Sequence, residues 1–147
     1  RRAGRTAPDR PPVLLQAVVD GAAGLAASAG VEPAELILGG RSMGGRICSM
    51  AVADGLPAAG LALISYPLHP PGRPDRLRVE HFPGLSVPCL FVSGTRDAFG
   101  SRAELEAATQ AIAGPGTHVW IEGGDHGLRK KDPEVAAAVS DWARSLL

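Results

Sequence analysis

Only two of the 147 residues are cysteine, Cys48 and Cys89, and no Cys-x-x-Cys pair occurs. Structural zinc and dithiol redox chemistry both draw on such pairs, so no metal site and no cofactor is expected. Each cysteine lies in an apolar run, around Ile47-Cys48 and Cys89-Leu90-Phe91, where a thiol acts as a small buried hydrophobe. Net charge is lacking as well, because 15 basic and 15 acidic residues cancel. A balanced chain offers no field that would gather nucleic acid or an anionic membrane. Lysine is nearly absent: arginine outnumbers it thirteen to two in an Ala-, Gly- and Pro-rich composition, as a GC-rich genome would give. No apolar stretch approaches the roughly 20 residues needed to cross a bilayer, and the opening residues lack a signal-peptide pattern. A soluble, cytoplasmic protein with no nucleic-acid or membrane partner is therefore expected.

What is present is enough hydrophobic residue, 45%, for one sizeable core, and enough length for a single domain over residues 1–147. Residues 1–12, with Arg1, Arg2, Arg5 and Arg10, read as a solvated loop. From Pro11-Pro12 a helical stripe of Val13, Leu14, Ala17, Val18, Ala22 and Leu25 runs toward Gly30. Gly21 and Gly24 inside it suggest close packing or a kink. Glu35 to Gly40 reads as a buried strand. Ile47, Met50 and Ala51 have helical spacing, and Gly60 to Ser65 reads as a second buried strand. Residues 66–86, rich in proline, form a loop or small cap. Val87 to Ser93 is a third strand. Ser101 and Glu104 form a capping box that opens a helix to about Ala113. Thr117 to Ile121 is a fourth strand. A last helix starts at Asp132-Pro133, with Val135, Val139, Trp142 and Leu146 on one face. Alternating helices and non-alternating apolar strands predict a parallel α/β sheet covered on both faces.

Gly40-Arg41-Ser42-Met43-Gly44 matches Gly-x-Ser-x-Gly and falls between a strand and a helix. That is the place of a nucleophile elbow, a strained turn that lifts a serine hydroxyl above the sheet. Bulk at Gly40 or Gly44, two positions either side, is expected to collide with the neighbouring strand and helix. The Met43 backbone N–H, at the start of the helix, is a candidate oxyanion donor. The segment does not fit Gly-x-Gly-x-x-Gly, and it lacks the Gly-Lys-Ser/Thr ending of a P-loop.

A serine needs a base to take its proton, and the base needs an orienting carboxylate. Asp97 follows the third strand and His126 follows the fourth, in the order Ser, Asp, His. His118 lies inside a strand run, while His69 and His81 precede the acid. Asp125 adjoins His126 and is poorly placed to orient its ring.

Gly39-Gly40-Arg41-Ser42-Met43-Gly44-Gly45-Arg46, Tyr66-Pro67-Leu68-His69-Pro70-Pro71-Gly72, Gly94-Thr95-Arg96-Asp97 and Gly124-Asp125-His126 together resemble a group of small, dienelactone-hydrolase-like α/β-hydrolases. The chain is similar to testis-expressed protein 30 and to the hydrolase-like region of subunit 3 of a histone-acetyltransferase regulatory complex. The resemblance runs from about Asp9 to the C-terminus. It implies a three-layer α/β-hydrolase fold, with Ser42, Asp97 and His126 as nucleophile, acid and base. The expectation is a serine hydrolase acting on an ester, thioester or related acyl compound, with residues 66–86 lining or covering the pocket and Leu68 and His69 as candidate walls. Such domains begin with further strands and a Gly-rich oxyanion loop, which the 41 residues before Ser42 do not supply. The chain thus reads as the C-terminal portion of such a domain, lacking N-terminal strands. Because the group includes a complex subunit, a non-catalytic interaction module is the alternative.

Overall fold

A computed structural model describes residues 10–147. The predicted opening loop, with Arg1, Arg2 and Arg5, lies largely outside the described residues. Arg10 is exposed and is the N-cap of the first helix. Four strands, β1 (Ile37–Arg41), β2 (Gly60–Ile64), β3 (Cys89–Gly94) and β4 (Gly116–Ile121), form one parallel sheet in chain order. Helix α1 (Pro11–Ala29) precedes them, α2 (Met43–Ala53) links β1 to β2, and α3 (Arg102–Ala108) links β3 to β4. Helix α4 (Asp132–Ser145) closes the chain. The predicted strands and helices are found with shifted ends. The Ser101–Glu104 capping box forms as expected, but α3 tightens into a 3₁₀ turn at Thr109–Ala111.

Side-chain alternation along β2 and β3 divides the core between two faces. Leu61, Leu63, Cys89 and Phe91 pack with Cys48 and Val52 of α2 and Leu105 of α3. Ala62, Leu90 and Val92 pack with Val135 and Trp142 of α4. The layers are thus helices, sheet, helix, and all six residues of β3 are buried. The 66–86 segment is not a loose cap. Tyr66 packs against Phe82 and Phe91 with ring centroids 5.4 and 5.9 Å apart, and its hydroxyl donates to the Arg78 carbonyl at 2.6 Å. Each such buried aromatic stabilises the core by about 1.5–3 kcal/mol.

Four expectations need correction. β1 is not buried: it pairs with β2 alone among the described residues, and Ile37, Gly39 and Arg41 are exposed. An apolar run reads as buried only when chain lies on both sides of it. In α1 the buried positions narrow to Ala22 and Ala26, while Val13 and Leu25 are exposed. An added Cβ at Gly21 or Gly24 would meet nothing within 4 Å, so neither glycine marks close packing. α1 spans 19 residues with a mean hydropathy of 1.4, long and apolar enough by composition to cross a membrane. Gln16 and Asp20 interrupt it, so it is no unbroken apolar run.

Candidate active site

Ser42 directly follows β1 and is the N-cap residue of α2, with φ 52 and ψ −124. This is a region L-residues avoid, at a typical cost of about 1–3 kcal/mol. The turn is held because the Ser42 N–H donates to the Ile64 carbonyl at 2.8 Å and the Arg46 N–H to the Ser42 carbonyl at 3.1 Å. Met43 is the first residue of α2, so its N–H has no acceptor within the helix and carries the positive end of the helix dipole.

The glycine pattern differs from the expected one. An added Cβ at Gly40 would lie 2.7 Å from the Gly44 carbonyl carbon and from the Gly45 nitrogen. One at Gly45 would lie 2.6 Å from the Gly40 carbonyl oxygen, but one at Gly44 would meet nothing within 4 Å. Gly40 and Gly45 are therefore the pair that lets strand and helix touch. Gly44 is exposed and Gly45 buried, so the helix face turned to the strand carries Gly45 and not Gly44.

Asp97 is buried and lies four residues beyond Ser93 in β3. Its Oδ1 accepts the Phe99 N–H at 2.8 Å. His126 sits on the loop after β4, which is pinned from below by fully buried Leu128. This loop crosses the β3 end where Gly94 and Gly124 meet: an added Cβ at Gly94 would overlap the Gly124 carbonyl. The Arg96 N–H donates to that same carbonyl at 2.8 Å. The two loops are thereby locked together. His126 Nδ1 lies 2.9 and 3.0 Å from the Asp97 carboxylate oxygens, and Nε2 lies 2.8 Å from Ser42 Oγ. With Asp97 accepting from Nδ1–H, Nε2 is left to accept the Ser42 proton.

The family description "Alpha/beta hydrolase domain" matches residues 1–145. The chain belongs to the alpha/beta hydrolase family. Among curated proteins it is 36% identical over 63 residues to epoxide hydrolase A of Mycobacterium tuberculosis, covering 42% of this chain and 20% of that protein. The chain thus spans about a fifth of that relative's length. Among solved structures it is similar to an alpha-beta serine hydrolase homologue from Coxiella burnetii. There the TM-score is 0.69 at 17% identity, over 99% of this chain and 66% of that one. Dienelactone hydrolase from Anabaena variabilis gives a TM-score of 0.66 at 18% identity, over 89% and 57%. At such identities these neighbours speak for the three-layer hydrolase fold.

In this member of the family Leu68 and His69 do not wall an open pocket. Leu68 is fully buried in the core, and His69 is 4% exposed with both ring nitrogens engaged. Their segment folds inward because Tyr66 and Phe82 anchor it to Phe91. A groove of about 770 Å³ runs between β4 and α4 past Val119, Ile121 and Trp142, and none of the three site residues lines it. Three contributors carried no sequence signal. The Phe99 ring stacks on His126 at 3.9 Å. Arg41 donates to the Gly127 carbonyl at 2.8 Å and lies 3.6 Å from Asp132, tying the base loop to the elbow strand. Gly45 was visible only as one glycine among several.

Proposed function

We propose that this chain supplies the nucleophile, base and acid of a serine hydrolase that cleaves an ester, thioester or related acyl bond. The observation that carries the reading is the unbroken relay from Ser42 Oγ through His126 to Asp97. In this scheme Ser42 Oγ attacks the acyl carbon as its proton passes to His126 Nε2. The resulting imidazolium is held by the Asp97 carboxylate. Negative charge on the carbonyl oxygen develops beside the Met43 N–H at the start of α2. Collapse breaks the bond to the alcohol or thiol, which leaves with the proton from His126. Water, deprotonated by the same imidazole, then releases the acid and regenerates Ser42.

The likeness to an epoxide hydrolase does not carry its substrate over. A serine alkoxide opening an epoxide would form an ether, which has no carbonyl for water to attack. Carbonyl chemistry is what a serine at this position can turn over. A small-molecule acyl substrate and a cytoplasmic location belong to the same proposal, and fractionation of cells tests the location. So does the finer likeness to testis-expressed protein 30 and the histone-acetyltransferase complex subunit, resting on the Tyr66–Gly72 and Gly94–Asp97 segments.

A fluorophosphonate probe tests the central claim. It is expected to label Ser42 in the parent protein and not in Ser42→Ala. A folded parent that stays unlabelled, indistinguishable from Ser42→Ala, refutes it. A stable protein partner recovered together with absent esterase activity favours the interaction-module alternative.

A further inference from the structure

We propose that His69 is a positioning residue, which through Glu104 and Phe99 holds the Asp97 loop in register with His126. The claim rests on the relay reading above and adds a device that sits outside the relay.

The imidazole of His69 is buried and faces two acceptors. Its Nδ1–H donates to the Pro70 carbonyl at 2.7 Å and its Nε2–H donates to Glu104 Oε2 at 3.0 Å. A carbonyl and a carboxylate can only accept, so the ring makes both bonds only with both protons on, as an imidazolium. The Pro70 carbonyl, and then Glu104, raise the proton affinity of the ring above its ordinary value, while burial and Arg78 pull it down. Glu104 from α3 and Arg78 from His69's own segment are the charged groups facing it. The Glu104 carboxylate is held below its usual range, chiefly by the Ser101 N–H and then by His69.

The clamp reaches the site by short steps. Glu104 Oε1 accepts the Ser101 N–H at 2.9 Å, fixing the end of the 97–101 loop. The His69 N–H donates to the Phe99 carbonyl at 3.0 Å. An added Cβ at Gly100 would lie 3.0 Å from Leu68 Cβ, so the two segments are in contact. Phe99 then acts twice: its N–H holds Asp97 Oδ1 and its ring lies on His126. Charge-assisted bonds of this kind are stronger and more directional than neutral ones. Removing Glu104 leaves the buried His69 charge unmatched, and removing His69 frees a partly exposed carboxylate from its one ring partner. Loosening the clamp displaces Asp97 relative to His126 without touching bound substrate, so it lowers kcat and leaves KM.

The test uses His69→Gln, Glu104→Gln and the double variant in the full chain. Each single change is expected to slow fluorophosphonate labelling of Ser42 by at least about ten-fold, the cost of misplacing a reacting group. KM for a short aryl ester should stay within about two-fold. The double variant should be no slower than the slower single, as befits residues acting as a unit. The imidazole NMR signal of the His126 Nδ1 proton should shift or broaden in each variant. A folded His69→Gln protein that labels within about two-fold of the parent, with that signal unmoved, overturns the proposal. Should His69→Gln fail to fold, Glu104→Gln, which keeps the capping acceptor, decides by the same criteria. An unlabelled parent defeats the relay reading instead, and the NMR signal then decides the positioning claim alone.

Discussion

Replacing each of the two adjacent glycines of α2 by alanine should have opposite consequences. Both Gly44 and Gly45 lie in the first turn of α2, so alanine brings the same gain in helix propensity, up to about 1 kcal/mol, at either site. That shared gain cancels when the two variants are compared. What remains is steric. The new methyl at 44 meets nothing within 4 Å, while at 45 it lies 2.6 Å from the Gly40 carbonyl oxygen and 3.4 Å from a Leu63 methyl. Backbone atoms cannot swing aside as a side chain can, and overpacking of this kind costs about 1–3 kcal/mol. Gly44→Ala should therefore be as stable as the parent or slightly more so, with Gly45→Ala about 1–3 kcal/mol below it. In a chain of this size that is a gap of roughly 3–10 °C in melting temperature. Thermal unfolding followed by circular dichroism measures it. Because the clash pushes the elbow strand from the helix, Gly45→Ala should also slow Ser42 labelling. Equal melting temperatures for the two variants, or a lower one for Gly44→Ala, would refute the assignment of the close contact to Gly40 and Gly45.

Asp97→Asn keeps the shape of the acid but favours the wrong His126 tautomer. Labelling of Ser42 should fall by about 10³–10⁴-fold with the fold intact, and a loss under ten-fold argues against Asp97 as the orienting group. Burial holds His118, and likewise His81, below the ordinary value of 6.5. The neutral ring is then favoured in the folded state, so its stabilising contribution is whole above pH 6.5 and is lost as pH falls through the depressed value. His69 acts in the opposite sense, so the effect is read as a difference: the melting temperature of His118→Gln should drop less than the parent's between pH 7.5 and 5. Parallel curves count against it. Burial pushes the Cys89 thiol up to about 11, and its side chain is fully buried. Iodoacetamide at pH 8 should leave it unmodified in the folded chain and modify it in urea, as mass spectrometry of digests can show.

The order of strands and helices, the elbow at Ser42, and the places of Asp97 and His126 after β3 and β4 were all legible in the sequence. Each is a local matter: a short apolar run, a turn of small residues, a capping box, and a titratable residue just past a strand end. Parallel topology followed from alternation alone. What tertiary structure decided is whatever depends on residues far apart in the chain. Ser42 and His126 are 84 positions apart, and Arg41 and Gly127 are 86 apart. No local pattern encodes which of two adjacent glycines meets a strand, because that depends on the angle at which α2 leaves β1. Nor could it tell that Leu68 and His69 turn inward, since the aromatic cluster that draws them in joins Tyr66 and Phe82, sixteen positions apart in that segment, to Phe91 of β3. Sequence assigns chemistry to positions, while contact geometry, which only packing fixes, assigns partners to that chemistry.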